Sequence, residues 1–370
     1  MTTAVEEPLH LVDTFVKNSM LNSVLAHASC RVDLAGSTLD IWPLYLYVEK
    51  AVTVNFAVDI ATQCEIRPNT TGEIVLTSVD TGKCDRFAGL SELHAATRFD
   101  HALAVFLVRQ FMPDADAQTT GFTMVTNSMS PAGAGISGSS ALMVASASAL
   151  ARFTGQKIDR EQIRVIAQNV EAQLIRVPTG CQDYYPALYG GVSAIHLLPE
   201  GIRREALAVA PEEIEQRFVV AYTGAPRQSG INNWEVFKSF INGDKHVQRN
   251  FREIAGIANG MRNALNSADW PGVTKLLRDE WKLRKTNAPG ITTPLIDRLI
   301  EVTRKKGAVA AKVCGAGGGG CVVFQIEPGS RKAVNAAIEE QGARVLPFNV
   351  ARHGVQVEVQ KAKALAAQAD

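Results

Sequence analysis

The sequence lacks any apolar run long enough to cross a bilayer. Its most apolar segments reach about half of the roughly 20 residues a spanning helix needs before a Gly, Pro or charge intervenes. It also lacks closely spaced cysteine pairs. Cys30, Cys64, Cys84, Cys181, Cys314 and Cys321 are spread thinly, and a chain of 370 residues needs no disulfide staples, so they read as reduced thiols of a cytosolic protein. There is no excess of charge of one sign: 38 Lys and Arg stand against 37 Asp and Glu. The cations are scattered among acids rather than striped, which argues against a nucleic-acid partner. The start, Met1-Thr2-Thr3-Ala4-Val5-Glu6-Glu7, is acidic where a secretory signal would be basic. These features predict a cytoplasmic protein with a small-molecule partner, no nucleic acid and no membrane, as a monomer or homodimer.

What is present is globular. Hydrophobic residues make up 46% and charged residues 20%, near the averages of folded domains. The length exceeds what one compact core usually takes, so two lobes around a shared cleft are expected. Apolar spacing over 9–25 predicts a short amphipathic helix, and 28–33 a strand entering a turn at Gly36-Ser37. Alternation over 51–58, then 64–68 and 72–79, predicts strands, with helix over 95–111. Segment 122–127 reads as a strand, 139–153 as a helix buried on most sides, and 159–174 as a second helix capped by Asp159. Strands follow over 192–198 and 217–222, mostly helix over 231–303, and a strand, glycine turn and strand over 310–326. A helix over 331–341 and strands over 343–348 and 355–359 finish the pattern, and the Ala-rich tail 361–370 reads as a frayed or disordered end. Short strands and helices alternate without repeats, which is an α+β pattern. The shift from strand-rich to helix-rich after Thr223 divides the chain into 1–223 and 224–370.

The strongest local feature is Pro131-Ala132-Gly133-Ala134-Gly135-Ile136-Ser137-Gly138-Ser139-Ser140-Ala141 at the head of the buried helix. Glycines let phosphate oxygens approach backbone amides, and a helix N-terminus reinforces anion binding. Ser139 and Ser140 add hydroxyls for phosphate or a magnesium shell. The loop has no Gly-Lys-Ser/Thr ending and no dinucleotide fingerprint, and a plain Gly/Ser turn capping a helix would look the same. Downstream, Glu171 ends the second helix, and Asp183 sits in Pro178-Thr179-Gly180-Cys181-Gln182-Asp183-Tyr184-Tyr185. Phosphoryl transfer needs a carboxylate for magnesium and often another to orient or deprotonate the acceptor hydroxyl. Glu171 suits the first role and Asp183 the second; taken singly, Glu171 reads rather as a solvent-facing helix residue and Asp183 as a turn former. A second glycine run, Gly315 to Gly320, lies between apolar strands and implies close backbone approach, to another segment or to a ligand.

In order along the chain, three segments resemble the kinase superfamily that includes galactokinase, homoserine kinase, mevalonate kinase and phosphomevalonate kinase. Arg31-Val32-Asp33-Leu34-Ala35-Gly36-Ser37-Thr38-Leu39-Asp40 resembles its substrate motif, the 131–141 loop its phosphate loop, and Val313-Cys314-Gly315-Ala316-Gly317-Gly318-Gly319-Gly320 its C-terminal glycine motif. The resemblance implies a two-lobed small-molecule kinase fold, with an N-terminal α/β domain of unusual left-handed crossover and a C-terminal ferredoxin-like domain. It implies ATP and Mg2+, with Pro131, Gly133, Gly135, Ser137, Gly138, Ser139 and Ser140 on the nucleotide. Ser139, Ser140 and Glu171 would be on the metal, and Asp183 would be the catalytic carboxylate. Asp40 matches the sugar-binding acid of the sugar-kinase branch. Trp42 or Tyr184 would lie against a sugar ring, Arg227 would bind a phosphate already on the acceptor, and Gly180, Tyr222 and Gly317 complete the acceptor set. The segments around Tyr222 to Ser229 and Gln182-Asp183-Tyr184 are similar to bacterial heptose-phosphate kinases, which implies phosphorylation of a sugar or sugar phosphate at its anomeric hydroxyl. The chain departs from the family at Leu39, at Trp42 and at Ile136-Ser137-Gly138. Rival readings are an isoprenoid-pathway kinase, a diphosphate-dependent decarboxylase, a non-catalytic sugar and nucleotide sensor, and a domain whose glycine loops are structural.

Overall fold

The computed structural model describes residues 22–115, 121–225 and 229–361. The chain opens with β1 (Asn22–Ala35), β2 (Val52–Pro68), β3 (Ile74–Ser78) and β4 (Cys84–Phe87), then α1 (Leu90–Ala95) and α2 (Ala102–Phe111). Next come β5 (Phe122–Ser128), α3 (Gly138–Phe153), α4 (Arg160–Ile175), α5 (Tyr184–Tyr189), β6 (Val192–Leu198), β7 (Gly201–Ala206) and α6 (Pro211–Arg217). β8 (Phe218–Tyr222) leads to four helices, α7 (Ser229–Ile241), α8 (Lys245–Asn266), α9 (Trp270–Arg284) and α10 (Pro294–Arg304). β9 (Ala308–Val313), β10 (Cys321–Ile326), α11 (Arg331–Glu339), β11 (Arg344–Leu346) and β12 (Gln356–Lys361) end it.

The first sheet runs β12-β1-β2-β5-β3-β4, with β6 pairing β2 and β7 pairing β6. Its pairs are antiparallel except β3 with β5. The second sheet runs β11-β8-β10-β9, all antiparallel. In chain order that is 4-1-3-2, with helices between the first and second strands and between the third and fourth, the ferredoxin-like arrangement expected of the C-terminal lobe. The expected division at 223/224 does not coincide with the division between sheets. β8 already belongs to the second sheet, and β12 returns to the first beside β1.

β1 shows why the site lies where it does. From Val24 to Ser29 buried and partly exposed residues alternate, as on a strand with one wet face; from Cys30 onward every residue is buried. The second half is therefore covered on both faces, and Arg31 and Asp33 are carried into that covered stretch. The helix expected over 9–25 is not seen at its end: Val24 and Leu25 belong to β1, paired with both β2 and β12. The remainder of that segment lies outside the described residues. Of the helix expected over 95–111, only 102–111 forms one, α2; α1 ends at Ala95 and 96–101 is not helical.

α3 is the central post. Its residues Ser140 to Ala151 are all buried, and it packs on β1 and β2 on one side and on α2, α4 and α5 on the other. Alanine and serine recur along it, so neighbours approach closely without voids. The lobes share apolar packing as well: one buried cluster joins Val32, Val54 and Phe56 of the first sheet to Met261, Leu277, Cys314 and Val323 of the second half. Each large side chain fully buried there contributes about 1.5–3 kcal/mol.

Candidate active site

The loop between β5 and α3 is held open by backbone geometry. Gly133, Gly135 and Ser137 all have positive φ, which turns successive amides toward one side ahead of the first turn of α3. Two other segments clamp the loop from behind. The Arg31 amide donates to the Ile136 carbonyl at 2.9 Å, and Arg31 Nη1 donates to the Gly135 carbonyl at 2.8 Å. From the second lobe, the Cys321 amide donates to the Ala134 carbonyl at 2.6 Å, and Tyr222 Oη donates to the Ala132 carbonyl at 3.3 Å. The C-terminal glycine run serves this contact. A Cβ on Gly320 would lie 2.6 Å from the Ala134 carbonyl oxygen, and one on Gly317 would lie 2.4 Å from that of Ile291. Close approach is thus to other chain segments, and the run braces the 131–141 loop. That is the structural position of Tyr222 and Gly317, both expected among the acceptor-binding residues; neither is among the residues lining the cleft.

The two acids project into a cleft of about 530 Å3, whose lining includes Pro131, Gly133, Gly135, Ser137, Gly138, Ser139, Ser140, Glu171 and Asp183. Every nucleotide, metal and catalytic residue expected from the sequence is therefore on one surface. Glu171 arrives there because α4, started by the reciprocal Asp159–Gln162 capping box, runs its last turn under α3. Its carboxylate accepts from Ser140 Oγ at 2.8 Å and Tyr184 Oη at 2.5 Å. Burial raises its pKa above the ordinary carboxylate range; the Tyr184 hydroxyl pulls it back, the Asp183 charge adds to the rise, and the Ser140 and Ser139 hydroxyls lower it again. Asp183 precedes the short α5 and retains 25% side-chain exposure, while its partner Arg31 retains 2%. Asp183 Oδ1 accepts from Arg31 Nε at 2.8 Å and from Nη2 at 2.6 Å. Burial works to lower the pKa of that guanidinium, but Asp183 and Asp33 raise it on balance. Arg31 thus ties Asp183 to the glycine loop with one planar group.

The remaining acceptor candidates are placed differently from expectation. Tyr184 is fully buried with its hydroxyl on Glu171, so it has no ring face to offer a sugar. Trp42 is 64% exposed and is not among the residues lining the cleft. Arg227 lies outside the described residues. Asp40 stands one layer behind the cleft wall, 3% exposed, where its carboxylate accepts from the Gln182 amide at 2.9 Å. Gly180 is required there: any Cβ would sit 2.0 Å from Asp40 Oδ2. Asp40 therefore positions the turn that carries Asp183.

Burial pushes the Asp40 carboxyl up to about 6, with the Asp183 charge adding to the rise against the bond from Gln182. Because the folded pKa lies above the unfolded one, ionised Asp40 opposes folding. That penalty is absent below about pH 4, grows as pH rises and is complete above about pH 6. A shift of this size corresponds to about 3 kcal/mol. Asp40→Asn keeps an oxygen for Gln182, so it is expected to raise stability by about 2–3 kcal/mol at pH 8 and to change it little at pH 4. Urea unfolding at the two pH values checks this; a variant less stable than wild type at pH 8 would show that the charge itself is needed.

Two features had no prominence in the sequence. One is Arg31, whose pairing with Asp183 spans 152 positions. The other is a cluster of four fully or nearly fully buried ions at the lobe boundary: Asp33 on β1, Lys312 on β9, and Glu280 and Arg284 on α9. Lys312 Nζ contacts Asp33 and lies 2.9 Å from Glu280 Oε2, and Arg284 Nη1 lies 3.2 Å from Glu280 Oε1. Arg284 also donates to the Ser37 carbonyl at 3.1 Å and the Gly315 carbonyl at 2.8 Å, joining the first motif to the third. The available signal was Arg31 and Asp33 at i and i+2 in an apolar strand, hence on one face.

Residues 102–191 match the GHMP kinases N terminal domain, and residues 261–344 match the GHMP kinases C terminal domain. The chain is 23% identical over 346 residues to the D-glycero-alpha-D-manno-heptose 7-phosphate kinase of Campylobacter jejuni, covering 91% of this chain and 99% of that protein. It is 25% identical over 356 residues to the mevalonate kinase of Thermococcus sibiricus, covering 90% and 98%. Among solved structures, the Lactococcus lactis galactokinase complexed with galactose superposes with a TM-score of 0.73 at 18% identity, over 93% of this chain and 96% of that one. No helix among the described residues is long and apolar enough to cross a membrane.

Proposed function

Given that this chain belongs to the GHMP kinases and is an ATP-dependent kinase, we propose that it phosphorylates a sugar or sugar phosphate at the anomeric hydroxyl. The observation that carries this is Asp183, held by Arg31 on the same cleft surface as the phosphate loop. The amides from Gly133 to Ser140 hold the phosphates of ATP. Asp183 orients the acceptor hydroxyl toward the γ-phosphorus and takes its proton as the new P–O bond forms and ADP leaves. Positioning and charge complementarity supply most of the rate enhancement.

Magnesium suits this donor set. The ion is usually bound by one or two carboxylates together with substrate phosphates and water. Glu171 is a buried carboxylate whose pKa is raised by burial and whose partners include the Ser140 and Tyr184 hydroxyls. A cation beside it removes the cost of keeping it ionised. Glu171, with Ser139 or Ser140, would hold the ion, which supplies neutralisation of the phosphate charge.

Likeness over nearly the whole length of a heptose 7-phosphate kinase favours a sugar phosphate as acceptor. A mevalonate-type acceptor is the second reading, favoured by similar coverage of a mevalonate kinase. An ADP-release screen with Mg·ATP decides between them, using D-glycero-D-manno-heptose 7-phosphate, galactose, fucose, glucuronate and mevalonate as acceptors. NMR of the product then locates the phosphate. Turnover of mevalonate alone would overturn the sugar reading, and turnover at a non-anomeric hydroxyl would overturn the position.

A further inference from the structure

The ion cluster at the lobe boundary continues into the cleft through a hydrogen-bonded relay. Arg284 Nη2 donates to Thr38 Oγ1 at 3.2 Å, and Thr38 Oγ1 donates to Asn233 Oδ1 at 3.2 Å. A guanidinium has donors only and does not deprotonate in proteins. Thr38 therefore accepts from Arg284, which leaves its one proton for Asn233. That proton meets the carbonyl end of the Asn233 amide. The amino end is then left for the cleft, which Asn233 lines together with Asp183. Thr38 is held in place to do this: it is 8% exposed and has a φ of 76°, a strained value for a β-branched residue.

The relay lies at the Asp183 end of the site. Thr38 belongs to the same short loop as Ile41, and Ile41 forms a β-bridge with Gly180, three residues before Asp183. The phosphate loop, by contrast, is clamped by Arg31, Tyr222 and Cys321, none of which belongs to the relay. We infer that Asn233 binds the phosphoryl acceptor, its side-chain NH2 donating to an acceptor oxygen beside the reacting hydroxyl. Thr38 and Arg284 are positioning residues that set which end of the amide faces the cleft. Asp183 accepts and Asn233 donates, so the pair suits a polyhydroxylated molecule that presents a hydroxyl to one and an oxygen lone pair to the other. This rests on the phosphotransferase reading above.

Steady-state kinetics with the screened acceptors, starting from D-glycero-D-manno-heptose 7-phosphate, test it. Asn233→Ala is expected to raise KM for the acceptor about three- to tenfold, the worth of one hydrogen bond, with KM for ATP changed less than about twofold. Asn233→Asp, which cannot donate from that position when ionised, is expected to do worse than alanine. Thr38→Val should approach the Asn233→Ala value, Thr38→Ser should stay near wild type, and Thr38→Val with Asn233→Ala should be no worse than Asn233→Ala alone. An unchanged acceptor KM in Asn233→Ala, or equal rises for acceptor and ATP, would overturn the assignment. Additive effects in the double variant would overturn the relay. Should Thr38→Val fail to fold, the Asn233 variants still decide the binding role. If wild type turns over none of the acceptors, the function proposed above falls and this inference with it. Turnover by wild type with insensitive Asn233 variants removes this inference alone.

Discussion

Asp183→Asn is expected to lower kcat about 10²- to 10⁴-fold, the usual worth of a positioned general base, with the dissociation constant for Mg·ATP nearly unchanged. Asparagine is the informative replacement because its carbonyl still accepts from Arg31, which bonds Oδ1 through both Nε and Nη2. Alanine removes both bonds and leaves a guanidinium that is 2% exposed facing an empty position. A buried pair broken from one side costs about 3–5 kcal/mol, and Asp183 keeps enough exposure to reduce this to about 2–3 kcal/mol. Both variants should lose turnover, and Asp183→Ala, which removes the hydrogen bonds as well as the charge beside Arg31, should lose more stability than Asp183→Asn. Calorimetric titration with Mg·ATP, thermal unfolding and single-turnover assays separate the three quantities. Undiminished kcat in Asp183→Asn would remove the residue from the chemistry. Weakened ATP binding of the same size would reassign it to the nucleotide.

What could be read from the sequence follows from how far each interaction reaches along the chain. The shape of the 131–141 loop was legible because its glycines answer a local demand: positive φ at Gly133 and Gly135, then the head of a helix whose Ala-rich composition already announced burial. The glycine run at Gly315 to Gly320 was legible as a need for close approach, but whether to a chain segment or to a ligand was not. The answer lies in Ala134 and Ile291, residues elsewhere in the chain. Arg31 and Asp183 each look ordinary in their own segment, and only the packing of β1 against the start of α5 turns them into a pair. Asp40 shows the converse. Its turn was read as facing the acceptor, yet local pattern says nothing of depth, and Gly180 and Gln182 cover it from 140 or more positions away. Tyr184 was read as a ring against the acceptor; its hydroxyl bond to Glu171 depends on the mutual placement of α4 and α5, which no local pattern reports.

Lys312→Met is expected to destabilise the fold by about 3–5 kcal/mol at pH 8, the usual cost of orphaning a buried ion. Methionine replaces most of the volume but none of the charge, so the loss reports electrostatics rather than a cavity. Asp33, Glu280 and Lys312 are each 0% exposed, and no water can take over the role of the ammonium without opening the lobe boundary. Glu280 keeps Arg284 at 3.2 Å. Asp33 is the group left exposed to the penalty, since burial raises its pKa and Lys312 is the foremost partner holding it below the ordinary value. The sign of the pH dependence follows. In wild type, depressed Asp33 contributes stability above its unfolded pKa, and that contribution is lost as pH falls through the folded value. In the variant Arg284 and Arg31 still work against burial, but without Lys312 the carboxyl sits higher than in wild type, so the difference between the two proteins is full at high pH and disappears as acid protonates Asp33. The gap between the two proteins should therefore be widest near pH 8 and should narrow toward about pH 4. Adding Asp33→Asn to Lys312→Met removes both charges and should recover most of the stability at pH 8, because a buried pair replaced by neutral groups is often nearly neutral. Urea unfolding of the single and double variants across this pH range checks each step. A Lys312→Met loss below about 1 kcal/mol, or a gap that does not narrow in acid, would mean that the ion cluster contributes little to holding the two lobes together.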